Sequence, residues 1–265
     1  MNNNLNKLSI CLPFRYDSED RVVNLKTVIA YFDKHFINHE FLILEEELEN
    51  VQRVPKEIQE RSDVNYQFRS GAEFLHRTRM VNELAAKSQR DFVTVYDIDI
   101  LVPPIAISET INQLEKKDQF VFPYSGAFID VKNDEKKKII ETLELPKVAP
   151  PTTKLYAKWS NEFHIIHNQS VGGITAFRKD TYLKNGGYNR QMKSWGFNDS
   201  EVTIRFSKMG YIPIRINKPL YHLNHQRGID STPNHPRLNA NQEILNKVRI
   251  MNKQMLEKYI KEKLL

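Results

Sequence analysis

The residues best suited to chemistry are two carboxylates that follow an apolar segment in VTVYDIDILVP, residues 93–103. The apolar part is typical of a buried strand, and Asp97 and Asp99 stand where it ends. Alternate residues of an extended segment point the same way, so both carboxylates are expected to face one ligand. Two unpaired like charges would raise each other's pKa, and a divalent cation such as Mg²⁺ or Mn²⁺ removes that cost. The competing interpretation is two surface aspartates in a turn.

A metal site needs further ligands, and YHLNHQR supplies two histidines three residues apart, His222 and His225. An imidazole added to carboxylates shifts the preferred cation from Mg²⁺ toward Mn²⁺. Histidines near a strand end are also often no more than hydrogen-bonded. For His164 and His167 we expect only such hydrogen bonds and no metal.

Alternating strand and helix patterns must position these residues. Strands are predicted at LSICLPF, EFLILEE and DFVTVYD, and helices at VVNLKTVIAYF, HRTRMVNELAAKS and PIAISETINQLEKK. This order predicts an α/β fold with a mostly parallel sheet and helices on both faces. Ligands bind beyond the carboxyl ends of such strands, which is where Asp97 and Asp99 lie.

The pattern changes after Val131, where a charge run is followed by Pro-Pro and Thr-Thr. We interpret residues 127–163 as an insertion or mobile arm outside the core. Beyond it, DSEVTIRFSKMG is typical of a helix, YIPIRI of a strand, and residues 226–241 of a loop. A last helix is expected to place on one face Ile244, Val248, Met251, Met255 and Tyr259.

The composition limits the classes of protein. The 265 residues are 40% hydrophobic and 10% aromatic, which is enough for a globular core. Cys11 is the single cysteine, and together with the lack of a signal-peptide pattern and of a membrane span it favours a cytoplasmic protein. The net charge of +6 suits nucleic acid, an anionic membrane surface or a phosphorylated substrate.

Two other functions compete with metal-assisted group transfer. A hydrolase or nucleotidyltransferase acting on sugar nucleotides should have a glycine-rich loop after the first strand, and LPFRYDSED has no glycine. A nucleic-acid-binding protein should interleave aromatic with basic residues, which this sequence does not do. The basic residues 246–265 form a solvated helix face, pack on the domain or make a peripheral membrane contact.

Six segments follow one another as they do in β-1,4-galactosyltransferases: CLPFRYDSEDRVVNL, HRTRMVNEL, VYDIDILVP, SVGGITAFRKDTYLKNGGYN, SWGFNDSEVTIRF and LNHQRG. Over its second half the chain is also similar to chondroitin-type polymerases and polypeptide N-acetylgalactosaminyltransferases. The resemblance covers about residues 9–228 and leaves 127–163 unmatched. It implies a single GT-A domain at 1–245, with a Rossmann-like nucleotide-sugar half at 1–126, an acceptor half at 164–245 and a basic helix after it.

The resemblance also implies roles for individual residues. The implied donor-binding residues are Pro13, Phe14, Arg15, Arg77, Asp97, Asp99, Ser170 and Gly173. Asp99 and His225 match the metal ligands, and His222 takes the place of a second, softer one. The implied acceptor-binding residues are Trp195, Asn198 and Asp199.

Asp199 matches the general base of the inverting members, four positions after Trp195. It opens a predicted helix, whose N–H groups favour a negative charge, and it suits the N-cap position as well. As a base it would take the proton from an acceptor hydroxyl.

Three departures from the family pattern limit what can be carried over. Asn198 replaces a glutamate, which leaves the identity of the acceptor open. Asp17 stands where a further arginine is usual, and Arg21 is the candidate replacement after a longer loop. Ser170 replaces the bulky tyrosine of galactose-specific members, which leaves room for an N-acetyl group on the donor.

The function implied is Mn²⁺- or Mg²⁺-dependent transfer of a hexose or N-acetylhexosamine from a UDP-sugar to a saccharide hydroxyl, with inversion. Such enzymes act in the synthesis of surface polysaccharides or glycoconjugates, on a free or lipid-linked saccharide. A retaining enzyme of the same fold is the alternative. A lipid-linked acceptor would bring the basic tail to the inner face of the membrane. Nucleic acid is not expected as a partner.

Overall fold

The computed structural model describes residues 4–117, 119–148, 156–167 and 169–265. Its helices are α1 (Glu19–His35), α2 (Lys56–Gln59), α3 (Arg77–Lys87), α4 (Pro104–Lys116), α5 (Asn133–Thr142), α6 (Lys179–Lys184), α7 (Asn198–Lys208), α8 (Leu238–Ile250) and α9 (Lys253–Tyr259). A short 3₁₀ turn at Ile229–Ser231 precedes α8, and a π turn at Ile260–Leu264 follows α9.

The strands form two sheets. The first has the order β11-β6-β10-β4-β1-β2-β3 and the second the order β5-β12-β7-β9-β8. Their bounds are β1 (Leu8–Phe14), β2 (Glu40–Glu46), β3 (Val64–Arg69), β4 (Phe92–Tyr96), β5 (Ile100–Leu101), β6 (Phe120–Phe122), β7 (Ala127–Val131), β8 (Tyr156–Trp159), β9 (Phe163–His167), β10 (Ile174–Arg178), β11 (Pro213–Arg215) and β12 (Leu220–Leu223).

The seven-stranded sheet is mostly parallel. β1 pairs in parallel with both β2 and β4, and only β10 runs antiparallel to its two neighbours. Every residue of β1 and of β4 is buried, as expected for strands covered on both faces. The predicted α/β class is therefore confirmed.

The five-stranded sheet includes residues that the sequence placed outside the core. β7 pairs with β12 in parallel and with β9 in antiparallel, and Ile129, Val131 and Ile139 are fully buried. The prediction of a mobile arm is thus wrong for the described part of 127–163, while residues 149–155 lie outside the described residues. AFIDV is an alternating strand in which every second residue points inward. The charge run of α5, which follows directly, made this strand hard to recognise in the sequence.

The end of the chain packs against the rest of the domain. The predicted loop ends early, because α8 begins at Leu238, and the predicted single helix is interrupted at Met251, which has an extended conformation. This break changes the buried face, which consists of Leu245, Val248, Leu256, Ile260 and Leu264. Lys208 Nζ donates hydrogen bonds to the carbonyls of Val248 and Met251 at 3.4 and 2.8 Å.

Gly186 shows how closely the final turn is packed. A β-carbon added there would come within 2.5 Å of Leu264 Cβ. Within the described ranges, no helix has the length and apolar character needed to cross a membrane.

Candidate active site

A cavity of about 560 Å³ lies beyond the carboxyl ends of β1 and β4 and is lined by residues of both sheets. It is where an open α/β sheet is expected to bind ligands. Most of the residues singled out in the sequence line it: Pro13, Arg77, Asp97, Asp99, Ser170, Gly173, Trp195, Asn198, Asp199, His222 and His225.

Phe14 and Arg15 do not join Pro13 at this cavity. Phe14 is fully buried in the core. Arg15 Nη2 donates to the carbonyls of Ala72 and Glu73 at 3.1 and 3.2 Å, and Arg15 Nη1 lies 3.5 Å from Asp230 Oδ2. Arg15 thus fixes two loops to each other, and its contact with a nucleotide stays a prediction.

Asp99, His222 and His225 form a buried cluster whose ligand atoms all lie within 4.8 Å of one another. Asp99 Oδ2 is 3.1 Å from His225 Nε2, and Asp99 Oδ1 is 3.8 Å from His222 Nε2. Strand pairing sets this arrangement, because His222 in β12 lies opposite Ile100, the residue after Asp99. The sequence prediction that these three residues come together agrees with the structure.

Hydrogen bonds at the far side of each imidazole fix its orientation. His222 Nδ1 donates to Asp130 Oδ1 at 2.6 Å, and His225 Nδ1 donates to the Gln226 carbonyl at 2.7 Å. Since a carboxylate and a carbonyl only accept, each ring carries a proton on Nδ1, and loss of any proton from Nε2, which metal binding requires, would leave the lone pair of that atom directed toward Asp99. This is the arrangement that metal-binding histidines adopt, so the three residues fit a divalent cation.

Asp130 was missed by the sequence analysis. It lies directly opposite His222 in the pairing of β7 with β12. Asn224 Nδ2 donates to both of its carboxylate oxygens, at 3.2 and 3.0 Å. Burial acts to raise the pKa of Asp130, but His222, Asn224 and Lys132 keep that pKa below its usual value. Its one signal in the sequence is a polar residue within the alternating strand AFIDV.

Arg21 also reaches the cluster. Its Nη1 donates to Asp99 Oδ2 and lies 3.4 Å from His225 Nε2. Burial alone would raise the pKa of Asp99, but Arg21 and the two histidines hold it well below its usual range. Asp99 is therefore an ionised carboxylate at neutral pH.

Asp97 is paired with a different residue from Asp99, although both aspartates line the same cavity. Arg77 donates to Asp97 Oδ1 from Nε at 3.0 Å and from Nη2 at 2.7 Å. The strand ends at Tyr96, and a turn closed by the bond from Ile100 N to Asp97 O separates the two carboxylates. Burial and the nearby charges of Asp99 and Asp199 raise the pKa of Asp97, while Arg77 opposes that rise.

Asp199 also lines the cavity, in the first turn of α7. Its predicted role as N-cap is wrong, because Phe197 takes that position with a left-handed conformation. Tyr188 Oη donates to Asp199 Oδ1 at 2.7 Å, and Arg77 Nη1 is 3.6 Å from the same atom. Asp199 Oδ2 lies so close to Gly172 that a β-carbon there would approach it to 3.3 Å.

The remaining predicted residues surround Asp199 and the cavity mouth. Trp195 is 38% exposed at the cavity, a suitable surface for a sugar ring. Asn198 is buried, and its Nδ2 donates to the Ser194 carbonyl at 2.8 Å. Ser170 is half-buried, and its carbonyl accepts a hydrogen bond from Arg215 Nη1 at 2.9 Å.

Comparison with known families adds to this geometry. The family described as "N-terminal domain of galactosyltransferase" matches residues 154–227. This segment resembles a galactosyltransferase. The resemblance predicted from the sequence motifs is confirmed there, over about a quarter of the chain.

The galactosyltransferase-like segment contains one part of the cavity lining. It includes Ser170, Gly173, Asp199, His222 and His225, whereas Asp97 and Asp99 precede it. The matched segment therefore contains His222 and His225 of the Asp-His-His cluster, and Asp99 lies outside the matched segment.

No curated protein matches the chain significantly. Among solved structures, the catalytic domain of Drosophila β1,4-galactosyltransferase 7 in complex with xylobiose is 16% identical with a TM-score of 0.47, covering 92% of this chain and 81% of that chain. A mutant of the Drosophila enzyme in complex with manganese, UDP-Gal and xylobiose is also 16% identical, with a TM-score of 0.44 and coverage of 82% and 71%. At these scores neither structure bears on the function of this chain.

Proposed function

We propose that this protein is a GT-A glycosyltransferase that uses a divalent cation to transfer a hexose or N-acetylhexosamine from a UDP-sugar to a saccharide hydroxyl. The observation that carries the proposal is a single cavity lined both by an oriented Asp-His-His cluster and by a carboxylate, Asp199, that Tyr188 holds. The galactosyltransferase-like match over 154–227 supports the same class of reaction.

The cation would be held by one oxygen of Asp99 and by Nε2 of His222 and of His225. Two imidazoles favour Mn²⁺ over Mg²⁺, because nitrogen ligands suit the softer ion. When bound there, the cation would neutralise the charge that develops on the departing diphosphate. The ionised state of Asp99 and the orientation of both rings prepare the chain for such an ion.

Asp199 is the residue we assign as general base. Its Oδ1 is held by Tyr188 and lies beside Arg77, which leaves Oδ2 to accept the proton of the acceptor hydroxyl as that oxygen attacks the anomeric carbon. A base on the acceptor side implies direct displacement, so an α-linked donor should give a β-linked product. Trp195 would provide a face for the acceptor ring.

The donor and acceptor are proposed by class. Ser170 leaves more room beside the donor than a tyrosine would, which favours an N-acetylhexosamine. The acceptor we propose is a saccharide, free or lipid-linked, of a surface polysaccharide or glycoconjugate. The +6 charge of the chain suits the anionic UDP-sugar.

The test is a panel of UDP-hexoses and UDP-N-acetylhexosamines with Mn²⁺, measuring UDP release with and without a mixture of saccharide acceptors. The anomeric configuration of the product is then determined by NMR. We expect Mn²⁺-dependent UDP release and a β-linked product. An α-linked product would contradict the role of Asp199, and no release from any UDP-sugar in the panel would contradict the proposed function.

A further inference from the structure

The guanidinium of Arg21 stands where the proposed cation would bind. We propose that Arg21 is a placeholder for that cation: it neutralises Asp99 in the metal-free protein and is displaced when the cation and the diphosphate of the donor bind together. This inference rests on the proposed function, because it takes the Asp99–His222–His225 cluster to be a cation site.

The need for a placeholder follows from the burial of Asp99. The side chain of Asp99 is 6% exposed, and that of Arg21 is 14% exposed. An ionised carboxylate buried to this extent requires a positive partner. Arg21 supplies the charge in the metal-free protein, and a divalent cation would supply it in the loaded protein.

The two partners exclude each other. Arg21 Nη1 donates to Asp99 Oδ2 and is 3.4 Å from His225 Nε2, so it contacts the two atoms that would coordinate the metal. A cation held by those atoms would need the space that the guanidinium nitrogen takes. Like charges would add repulsion to this overlap.

Arg21 is held loosely enough to leave. Its contacts with Asp99 and His225 both come from Nη1, and in the described part of the chain its buried Nε has no hydrogen-bond partner. Arg77, which lines the same cavity, holds Asp97 with two nitrogens. A single-nitrogen contact is the weaker geometry for an arginine–carboxylate pair.

Displacement would leave Arg21 without an anion unless one enters with the metal. The nearest residue on its own helix that carries the right charge, Asp20, is already bound by Lys136 at 2.8 Å. The diphosphate of a nucleotide is a suitable new partner, since guanidinium groups bind phosphate oxygens well. Arg21 therefore couples the two ligands: the metal alone should bind weakly, and the metal with a nucleoside diphosphate should bind tightly.

The experiment compares Mn²⁺ binding in the absence and presence of saturating UDP, by isothermal titration calorimetry on the full chain. In Arg21→Gln, Mn²⁺ alone should bind at least tenfold more tightly than in wild type, and the gain from UDP should shrink. Arg21→Lys keeps the charge and should remain closer to wild type. Arg227→Gln is the matched control, because Arg227 lines the same cavity without a described contact to Asp99; it should change Mn²⁺ affinity less than twofold.

A second measurement uses wild-type protein and needs no substitution. Labelling of Arg21 with phenylglyoxal, followed by peptide mass spectrometry, should increase when Mn²⁺ is added and fall when UDP is added to the Mn²⁺ complex.

The outcomes separate this inference from the proposed function. If Arg21→Gln binds Mn²⁺ no more tightly than wild type, or if Mn²⁺ does not change Arg21 labelling, the placeholder role is wrong while the cation site stands. If wild type binds no Mn²⁺ with or without UDP, both the cation site and the placeholder role are wrong.

Discussion

Two parts of the cavity lining use the same pair of residue types in different ways. In the first part, Asp99 is paired with Arg21 and is 6% exposed. In the second part, Asp199 lies near Arg77 and is 27% exposed. The first carboxylate is enclosed by charged and polar partners, and the second keeps one oxygen beside Gly172.

This difference separates binding from chemistry. A carboxylate with partners on every side is prepared to hold an ion in a fixed place, but it cannot exchange protons at neutral pH. A carboxylate with one bound and one open oxygen is oriented and still able to accept a proton. We therefore expect changes in the Asp99 part to alter ligand affinity and changes in the Asp199 part to alter turnover.

The largest effect is expected from Asp99→Asn. A neutral amide is a weak metal ligand and leaves the diphosphate charge uncompensated, so Mn²⁺-dependent binding of UDP should be abolished in calorimetry. Asp134→Asn, on the exposed face of α5, serves as the control and should bind as wild type does. Unchanged Mn²⁺ dependence in Asp99→Asn would show that this part of the cavity is not a cation site.

Asp199→Asn should lower kcat by about 10²–10⁴-fold, the usual contribution of a general base. The affinities for Mn²⁺ and UDP should stay close to those of wild type, because Asp199 contacts neither the histidines nor Asp99 among the described contacts. Steady-state kinetics and calorimetry on the same preparation give both numbers. A loss of affinity that equals the loss of kcat would remove the distinction between the two parts.

Asp130→Asn should weaken Mn²⁺ binding by about 10–100-fold, the usual effect of removing the partner that orients a metal-binding histidine. An asparagine can turn its amide toward His222 and leave the Nε2 lone pair no longer fixed toward Asp99. The Mn²⁺ titration is the measurement, and the circular dichroism of the variant should match wild type. If Asp130→Asn bound Mn²⁺ as tightly as wild type does, the hydrogen bond between Asp130 and His222 would not be needed to orient the imidazole.

Tyr188→Phe should reduce kcat by about tenfold with little change in KM. The substitution removes one hydrogen bond to a charged group, worth about 1.5–3 kcal/mol, from the carboxylate that must be oriented for proton transfer. Tyr182→Phe is a close control: Tyr182 is as buried as Tyr188, but its hydroxyl donates to Asn82. Equal losses of kcat in the two variants would point to packing instead of orientation.

The smallest effect concerns Glu47, a carboxylate outside the cavity. Burial raises the pKa of Glu47 to about 7 from 4.5, although Tyr16 N donates to it at 2.7 Å. A raised pKa in the folded state stabilises the protein below pH 4.5, and this contribution is lost as the pH rises through 7. Glu47→Gln should therefore unfold like wild type at pH 4 and be more stable by on the order of 2 kcal/mol at pH 8.

Denaturant unfolding at both pH values measures this difference. Equal stability of Glu47→Gln and wild type at pH 8 would show that Glu47 ionises in the folded protein at no cost.

Sequence reasoning brought together most residues of the candidate site because they have distinctive types and order. The strands ending at Phe14 and Tyr96 were readable as apolar segments. Asp99, His225 and Asp199 came from motifs, and His222 came from its spacing to His225. What it missed depends on pairing between distant segments. Asp130 contacts His222 only because β7 lies beside β12. No local pattern in AFIDV indicates that pairing.

Local geometry also decided two outcomes that residue spacing could not. Asp97 and Asp99 line one cavity, but a turn after Tyr96 pairs Asp97 with Arg77 and Asp99 with the histidines, which their spacing did not indicate. The last helix was predicted as continuous, but its break at Met251 moves the buried face to Leu256 and Leu264. In both cases a single change in backbone direction reassigns every side chain that follows.

The bond from Asp130 to His222 has a practical consequence for anyone who would recognise or rebuild this site. Asp130 lies on a strand that none of the six motifs contains. A chain chosen only because it carries those motifs, or a scaffold onto which they are transplanted, would have Asp99 and His225 and would lack both His222 and the partner that orients it. The smallest transferable unit is the motifs together with the pairing of β7, β12 and β5.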